Sequence, residues 1–144
     1  MCSYKELIDL VARNGDINLH PFNDGANYLK WIGQAKGDLD IFQSTGDSKD
    51  FIFTRKYLLY LAYIKLLRSA YLLDAYNIED GCSDFKFYGI HEIKYHFNLR
   101  CFKYYGSLAF FKTALICIEN ESKKMGFNMK KSVMLSLKDR GNIN

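Results

Sequence analysis

The feature that most constrains this chain is a run of apolar residues between Ile90 and Ile118 that recurs every three or four positions. Such a spacing keeps the side chains on one face of an α-helix, whose turn holds 3.6 residues. The run therefore predicts one long helix over about 90–121, with Gly126 at its end. Its members are Ile90, Ile93, Phe97, Cys101, Tyr104, Leu108, Phe111, Leu115 and Ile118.

A second long helix is predicted from Phe51 to about Tyr76. Its apolar residues, with Tyr57 and Tyr71 among them, cover a broad half of the helix. Further apolar residues interrupt the polar strip on the opposite side. A helix that is apolar on most sides belongs in the middle of a bundle. The narrow strip opposite the broad apolar half is polar and is marked by Arg55, Lys65, Arg68 and Ser69.

Shorter helical patterns lie before, between and after these two. A capping box at Ser3–Glu6 starts a helix over about 4–13, and a further helix contains Trp31 and is extended by Asp38–Phe42. Asp50 favours the positive end of the helix that follows it. A last short helix is predicted around 129–137. The predicted fold is therefore all-α: a compact single-domain bundle over 1–144, of about five helices with two long core helices.

Several kinds of chemistry are excluded by spacing. His91 and His96 resemble the zinc motif H-E-x-x-H, but five residues turn them about 140° apart on a helix, where four would align them. Ribonucleases of the HEPN type need an arginine before a histidine on one helix, and here Arg100 follows His96. Nucleotide-binding glycine motifs and nucleophile motifs are absent from the sequence. We therefore expect no metal, no cofactor and no enzymatic activity.

The cysteines and the apolar runs indicate the compartment. None of Cys2, Cys82, Cys101 and Cys117 forms a C-x-x-C motif, and the last two fall in apolar helical patterns. We expect reduced thiols in a cytoplasmic protein. The longest uncharged apolar runs are well short of the roughly 20 residues that cross a membrane, so we expect no membrane contact.

The charges are distributed unevenly along the chain. Residues 1–84 hold 9 basic and 12 acidic side chains, whereas residues 85–144 hold 11 and 4. The overall surplus of +4 is too small to favour a nucleic-acid partner. A bipolar protein suits docking onto another protein through complementary charge.

These observations favour a protein that binds another protein. The leading hypothesis is an immunity protein that neutralises a cognate bacterial toxin, in which acidic side chains meet a basic nuclease domain and exposed tyrosines anchor the contact. The alternatives are a viral or effector-like adaptor, and a helical nucleic-acid binder that uses the basic half. The residues predicted to bind the partner are Asp38, Asp40, Asp47, Asp74, Tyr76, Glu79 and Asp80.

Overall fold

The computed structural model describes residues 3–14, 28–46, 49–73 and 108–143, and these are almost entirely helical. Within these ranges there are five α-helices and no strands, which confirms the predicted all-α class. The helices are α1 (Tyr4–Asn14), α2 (Tyr28–Ser44), α3 (Ile52–Leu72), α4 (Leu108–Lys124) and α5 (Met129–Ile143), and a single 3₁₀ turn (Lys49–Phe51) precedes α3.

Helix α1 begins at the predicted cap. The Ser3 hydroxyl accepts a hydrogen bond from the Glu6 backbone N–H at 3.2 Å, which satisfies one of the amides that a helix start leaves unpaired. The apolar side chains at helical spacing are buried, as the pattern predicts. They are Tyr4, Leu7, Ile8 and Val11.

Helix α3 lies at the centre of the bundle, as predicted. Along it, from Leu58 to Ala70, all side chains except those of Tyr60, Leu61 and Lys65 are buried. It packs against α1, α2, α4 and α5, and one core cluster draws residues from each of the five helices. Its N-cap position is Phe51, with no side-chain cap hydrogen bond, and Asp50 lies in the 3₁₀ turn directly before it.

The prediction that a polar strip of α3 lies opposite a buried apolar half is wrong in part. Arg55, Arg68 and Ser69 are buried. Helix α2 packs against α3 and supplies the two arginines with polar and aromatic contacts. The Arg68 guanidinium, in a side chain only 1% exposed, lies 5.7 Å from the centre of the Trp31 ring. Conversely, Tyr57 and Tyr71, predicted on the apolar half, are exposed.

The described part of the long helix predicted over about 90–121 is α4. Residues 90–107, where that prediction begins, lie outside the described residues. Helix α4 ends as predicted at Gly126, whose φ of 90° is open to glycine but strained for other residues. The Phe127 N–H donates to the Ser122 carbonyl at 3.1 Å and the Gly126 N–H to the Lys123 carbonyl at 3.0 Å, a Schellman ending. The turn that results folds α5 back against α4.

Candidate functional site

Two of the seven residues predicted to bind a partner belong to the described part of the chain. These are Asp38 and Asp40, both on α2. The other five lie outside the described residues and stay predictions: Asp47, Asp74, Tyr76, Glu79 and Asp80.

Asp38 faces the inside of the bundle. Its Oδ2 lies 2.8 Å from the Lys65 Nζ of α3, and the two side chains are only 14% and 13% exposed. A carboxylate held this way is engaged in joining α2 to α3. Of the two described candidates, Asp38 is therefore the one whose replacement would disturb the fold itself.

Asp40 lies on the outside of α2. Its Oδ2 is 3.6 Å from the Nζ of Lys36, one turn earlier, and the side chains are 37% and 40% exposed. An exposed pair of this kind contributes at most about 0.5 kcal/mol, because water solvates both charges. Asp40 can therefore exchange Lys36 for another cation at little cost.

An exposed aromatic surface lies at the start of α3. We define it by Phe51, Ile52, Phe53 and Tyr57, which are all exposed; Phe53 is 83% exposed and Tyr57 60%. Phe53 and Tyr57 are four residues apart and so lie on the same face of the helix. Isolated apolar side chains are common on protein surfaces, but four exposed ones within residues 51–57, two phenylalanines and a tyrosine among them, are typical of a contact site.

The aromatic surface stands on a firmly connected corner of the bundle. Arg55 Nη1 donates to the Phe42 carbonyl at 3.1 Å and to the Thr45 hydroxyl at 2.7 Å, and its guanidinium lies 4.1 Å from the centre of the Phe42 ring. These contacts attach the end of α2 to the first turn of α3. Asp40, one turn before the end of α2, therefore lies at the same end of the α2–α3 pair as the aromatic surface.

The charges beside the aromatic surface are mixed. Lys49 and Asp50 are exposed in the 3₁₀ turn, and Lys56 follows on α3 with its Nζ 5.5 Å from the centre of the Phe127 ring. The acidic character predicted for the partner-binding side is therefore carried here by Asp40 and Asp50. Lys49, the neighbour of Asp50 in the 3₁₀ turn, adds a positive charge to the same turn.

A second group of side chains, which was not predicted from the sequence, is hydrogen-bonded around Glu119. Its Oε2 accepts hydrogen bonds from the hydroxyls of Tyr4, at 2.9 Å, and Tyr63, at 2.8 Å. Burial raises the pKa of Glu119 above its ordinary value, while the Tyr63 hydrogen bond, the Lys130 charge and the Tyr4 hydrogen bond oppose the rise. One carboxyl group thereby ties α4 to α1 and α3.

Glu119 also lines a cleft of about 360 Å³ at the α4–α5 turn. The Nζ of Lys130, another lining residue, lies 3.9 Å from the centre of the Tyr4 ring. The lining thus combines one carboxyl group, two lysines and two side-chain amides with the aromatic side chain of Phe127. Its lining residues are Glu119, Asn120, Lys123, Gly126, Phe127, Asn128, Met129 and Lys130.

The signal for Glu119 in the sequence is weak but real. It directly follows Ile118, the last member of the apolar run, so a helical projection places it at the border of the buried face. An acidic side chain there needs a partner, but its tyrosine donors are 115 and 56 residues away along the chain. Only the folded chain identifies them.

Three further observations concern similarity to known proteins, membrane spans and metal sites. No protein-family model, curated protein sequence or solved structure matches it. Across the four described ranges, no helix combines the length and apolar character needed to cross a membrane. In those same ranges, no group of three or more His, Cys, Asp or Glu side chains is placed to hold a metal ion. His91, His96 and Cys101 lie outside them.

Proposed function

We propose that this chain is a non-enzymatic protein-binding protein and that the aromatic surface at the start of α3 anchors its partner. Within that role, we propose a cytoplasmic immunity protein that neutralises a cognate bacterial toxin with a basic nuclease domain. The exposure of Phe51, Phe53 and Tyr57 on one corner of the bundle is the observation that carries the proposal.

The exposed aromatic side chains gain free energy when a partner removes them from water. Covering a large apolar side chain is worth about 1.5–3 kcal/mol, and Phe53 is almost fully uncovered. Aromatic side chains are enriched in the buried centres of protein interfaces, where a few residues provide most of the affinity. A partner that covers Phe53 and Tyr57 therefore gains affinity without any rearrangement of the bundle.

Charge adds specificity to this contact. Asp40 is half-exposed near the same corner, and its pair with Lys36 is weak, so a basic side chain of the partner can replace Lys36. Complementary charge mainly accelerates association. We therefore propose that Asp40 accelerates association with the partner and that the aromatic surface supplies most of the affinity. Further candidates for contact with the partner are Asp47, Asp74, Tyr76, Glu79 and Asp80.

The test is co-expression with the product of the neighbouring reading frame, scored for growth and for a co-purified complex. We expect the wild-type chain to restore growth and a Phe53→Ala, Tyr57→Ala double variant to lose both protection and complex. Because both residues are exposed, the variant should keep its fold, which far-UV circular dichroism checks. Leu135→Ala is the matched control, since Leu135 is 52% exposed on α5.

Each alternative gives a different result. A complex that tolerates the aromatic double variant, or fails equally with Leu135→Ala, contradicts the assigned surface. A complex that protects nothing favours an adaptor over an immunity protein. Loss of binding on replacing Arg100 and Lys103 by Ala, with a reduced salt slope on nucleic acid, favours the nucleic-acid binder.

A further inference from the structure

The cleft at the α4–α5 turn has the volume and the kind of lining residues that a small-molecule site needs. Its volume of about 360 Å³ is at the lower end of the range for small-molecule sites, about 300–1,000 Å³. Small-molecule sites combine an apolar wall with a few convergent polar groups. Phe127 and Met129 supply the apolar wall here, and the lysines and asparagines supply the polar groups.

The charge balance of the cleft is positive. Glu119 is the acidic lining residue. Its carboxyl group already accepts hydrogen bonds from Tyr4 and Tyr63, and the positive charge of Lys130 acts on it as well. Lys123 is exposed on the rim, and no carboxylate within the described residues forms an ion pair with it. Its neighbour Lys124 differs, because it lies 3.4 Å from Glu121. Lys123 is thus the cation that a ligand can use.

The remaining walls fit a planar body next to an anionic group. The Nζ of Lys56 lies over the Phe127 ring, 5.5 Å from the ring centre. The Asn128 Oδ1 accepts the Lys131 backbone N–H at 3.0 Å, which leaves the amide nitrogen of Asn128 to donate to a ligand oxygen. An amide donor, an exposed lysine and an aromatic ring therefore line the same cleft.

We propose that this cleft binds a small organic anion, with its phosphate or carboxylate group against Lys123 and its planar apolar body against Phe127. Both anionic groups accept hydrogen bonds from an ammonium group and from the Asn128 amide. The lining residues of the cleft and the residues of the aromatic surface are different sets, so variants can test the two proposals one at a time.

The test is a titration of the full ¹⁵N-labelled chain followed by amide chemical shifts. Phenyl phosphate and benzoate carry both features, whereas inorganic phosphate and phenol carry one each. We expect saturable shifts around residues 120–130 with phenyl phosphate or benzoate at a Kd of about 1 mM, as suits a fragment of this size. Inorganic phosphate and phenol should each bind at least about tenfold more weakly, because each loses one of the two contacts.

The variants separate this site from general attraction to lysines. Lys123→Gln should weaken phenyl phosphate about tenfold, whereas Lys131→Gln, the same change on an exposed lysine outside the cleft, should alter the Kd less than about twofold. Equal losses in both variants would overturn the proposal. So would the absence of saturable shifts at about 10 mM of either organic probe. Inorganic phosphate binding as tightly as phenyl phosphate would mean an adventitious ion only.

Discussion

The ion pair between Asp38 and Lys65 should contribute measurably to folding, whereas the pair between Asp40 and Lys36 should not. At the 2.8 Å between Asp38 Oδ2 and Lys65 Nζ, the gross attraction is about 6 kcal/mol at an effective dielectric constant of about 20. The loss of hydration of two nearly covered charges offsets most of it. The expected coupling energy is therefore about 1–2 kcal/mol, against about 0–0.5 kcal/mol for the exposed pair.

A double-mutant cycle measures both pairs in the same protein. Asp38→Asn alone should cost about 2 kcal/mol, because it leaves the Lys65 ammonium largely covered and without its carboxylate. Lys65→Met keeps the length of the side chain and removes its charge. With a urea slope of about 2 kcal/mol per M, the Asp38→Asn midpoint should fall by about 1 M. The coupling energy then follows from the single and double variants.

Salt separates the two cases further. At 1 M NaCl the screening length falls to about 3 Å, so the coupling of the exposed Asp40–Lys36 pair should vanish while that of the covered pair persists in large part. A coupling for Asp38 and Lys65 no larger than that for Asp40 and Lys36, or one that disappears in salt, would refute the reasoning. Asp38 would then return to the surface acids available to a partner.

Three further perturbations test the packing. Leu67→Ala should lower the free energy of unfolding in urea by about 2–5 kcal/mol, since Leu67 is fully buried, and Leu135→Ala by less than about 0.5 kcal/mol. Similar losses in the two variants would mean that the buried face is wrongly placed. Arg55→Met should cost about 1–3 kcal/mol by leaving the carbonyl at the end of α2 without its donor; an unchanged urea midpoint would contradict that anchor. Burial raises the folded pKa of Glu119, so its contribution to stability is full below its ordinary value of 4.5 and is lost as pH rises through the folded pKa. Glu119→Gln stays neutral, so the stability of this variant relative to wild type should increase with pH in urea titrations, and a difference that is constant across pH would contradict the assignment.

The helices could be predicted from the sequence because their signals are local. The cap at Ser3, the apolar spacing of α1 and α4, and the glycine that ends α4 each depend on residues within a turn or two of one another. Periodicity also indicates the central place of α3, because a helix with apolar residues on most sides needs neighbours on most sides.

What the sequence could not predict is which helix covers which face. Arg55, Arg68 and Ser69 have the composition of a solvated strip, yet all three are buried, and α2 supplies Arg55 with a backbone oxygen and Arg68 with an aromatic ring. Tyr57 has the composition of a core residue and is exposed. Covering a polar side costs less once its polar groups find partners, and the two arginines find theirs on another helix.

The candidate sites show the same limit. Charge alone selected Asp38 and Asp40 together, although one is held inside by Lys65 and the other is exposed. Phe53 could not be distinguished from a core phenylalanine by its spacing. Exposure, which decides whether an aromatic side chain can bind a partner, is a property of the folded chain.

The most direct test of the proposed protein-binding role is amide hydrogen exchange on the chain alone and in complex with the product of the neighbouring reading frame. Amides at the start of a helix have fewer helical partners than those in its middle, so we expect faster exchange there in the free chain and a clear change under a covering partner. We predict slowed exchange over residues 49–57 and at the end of α2. Unchanged exchange over 49–57, with protection confined to residues 123–131, would contradict the account.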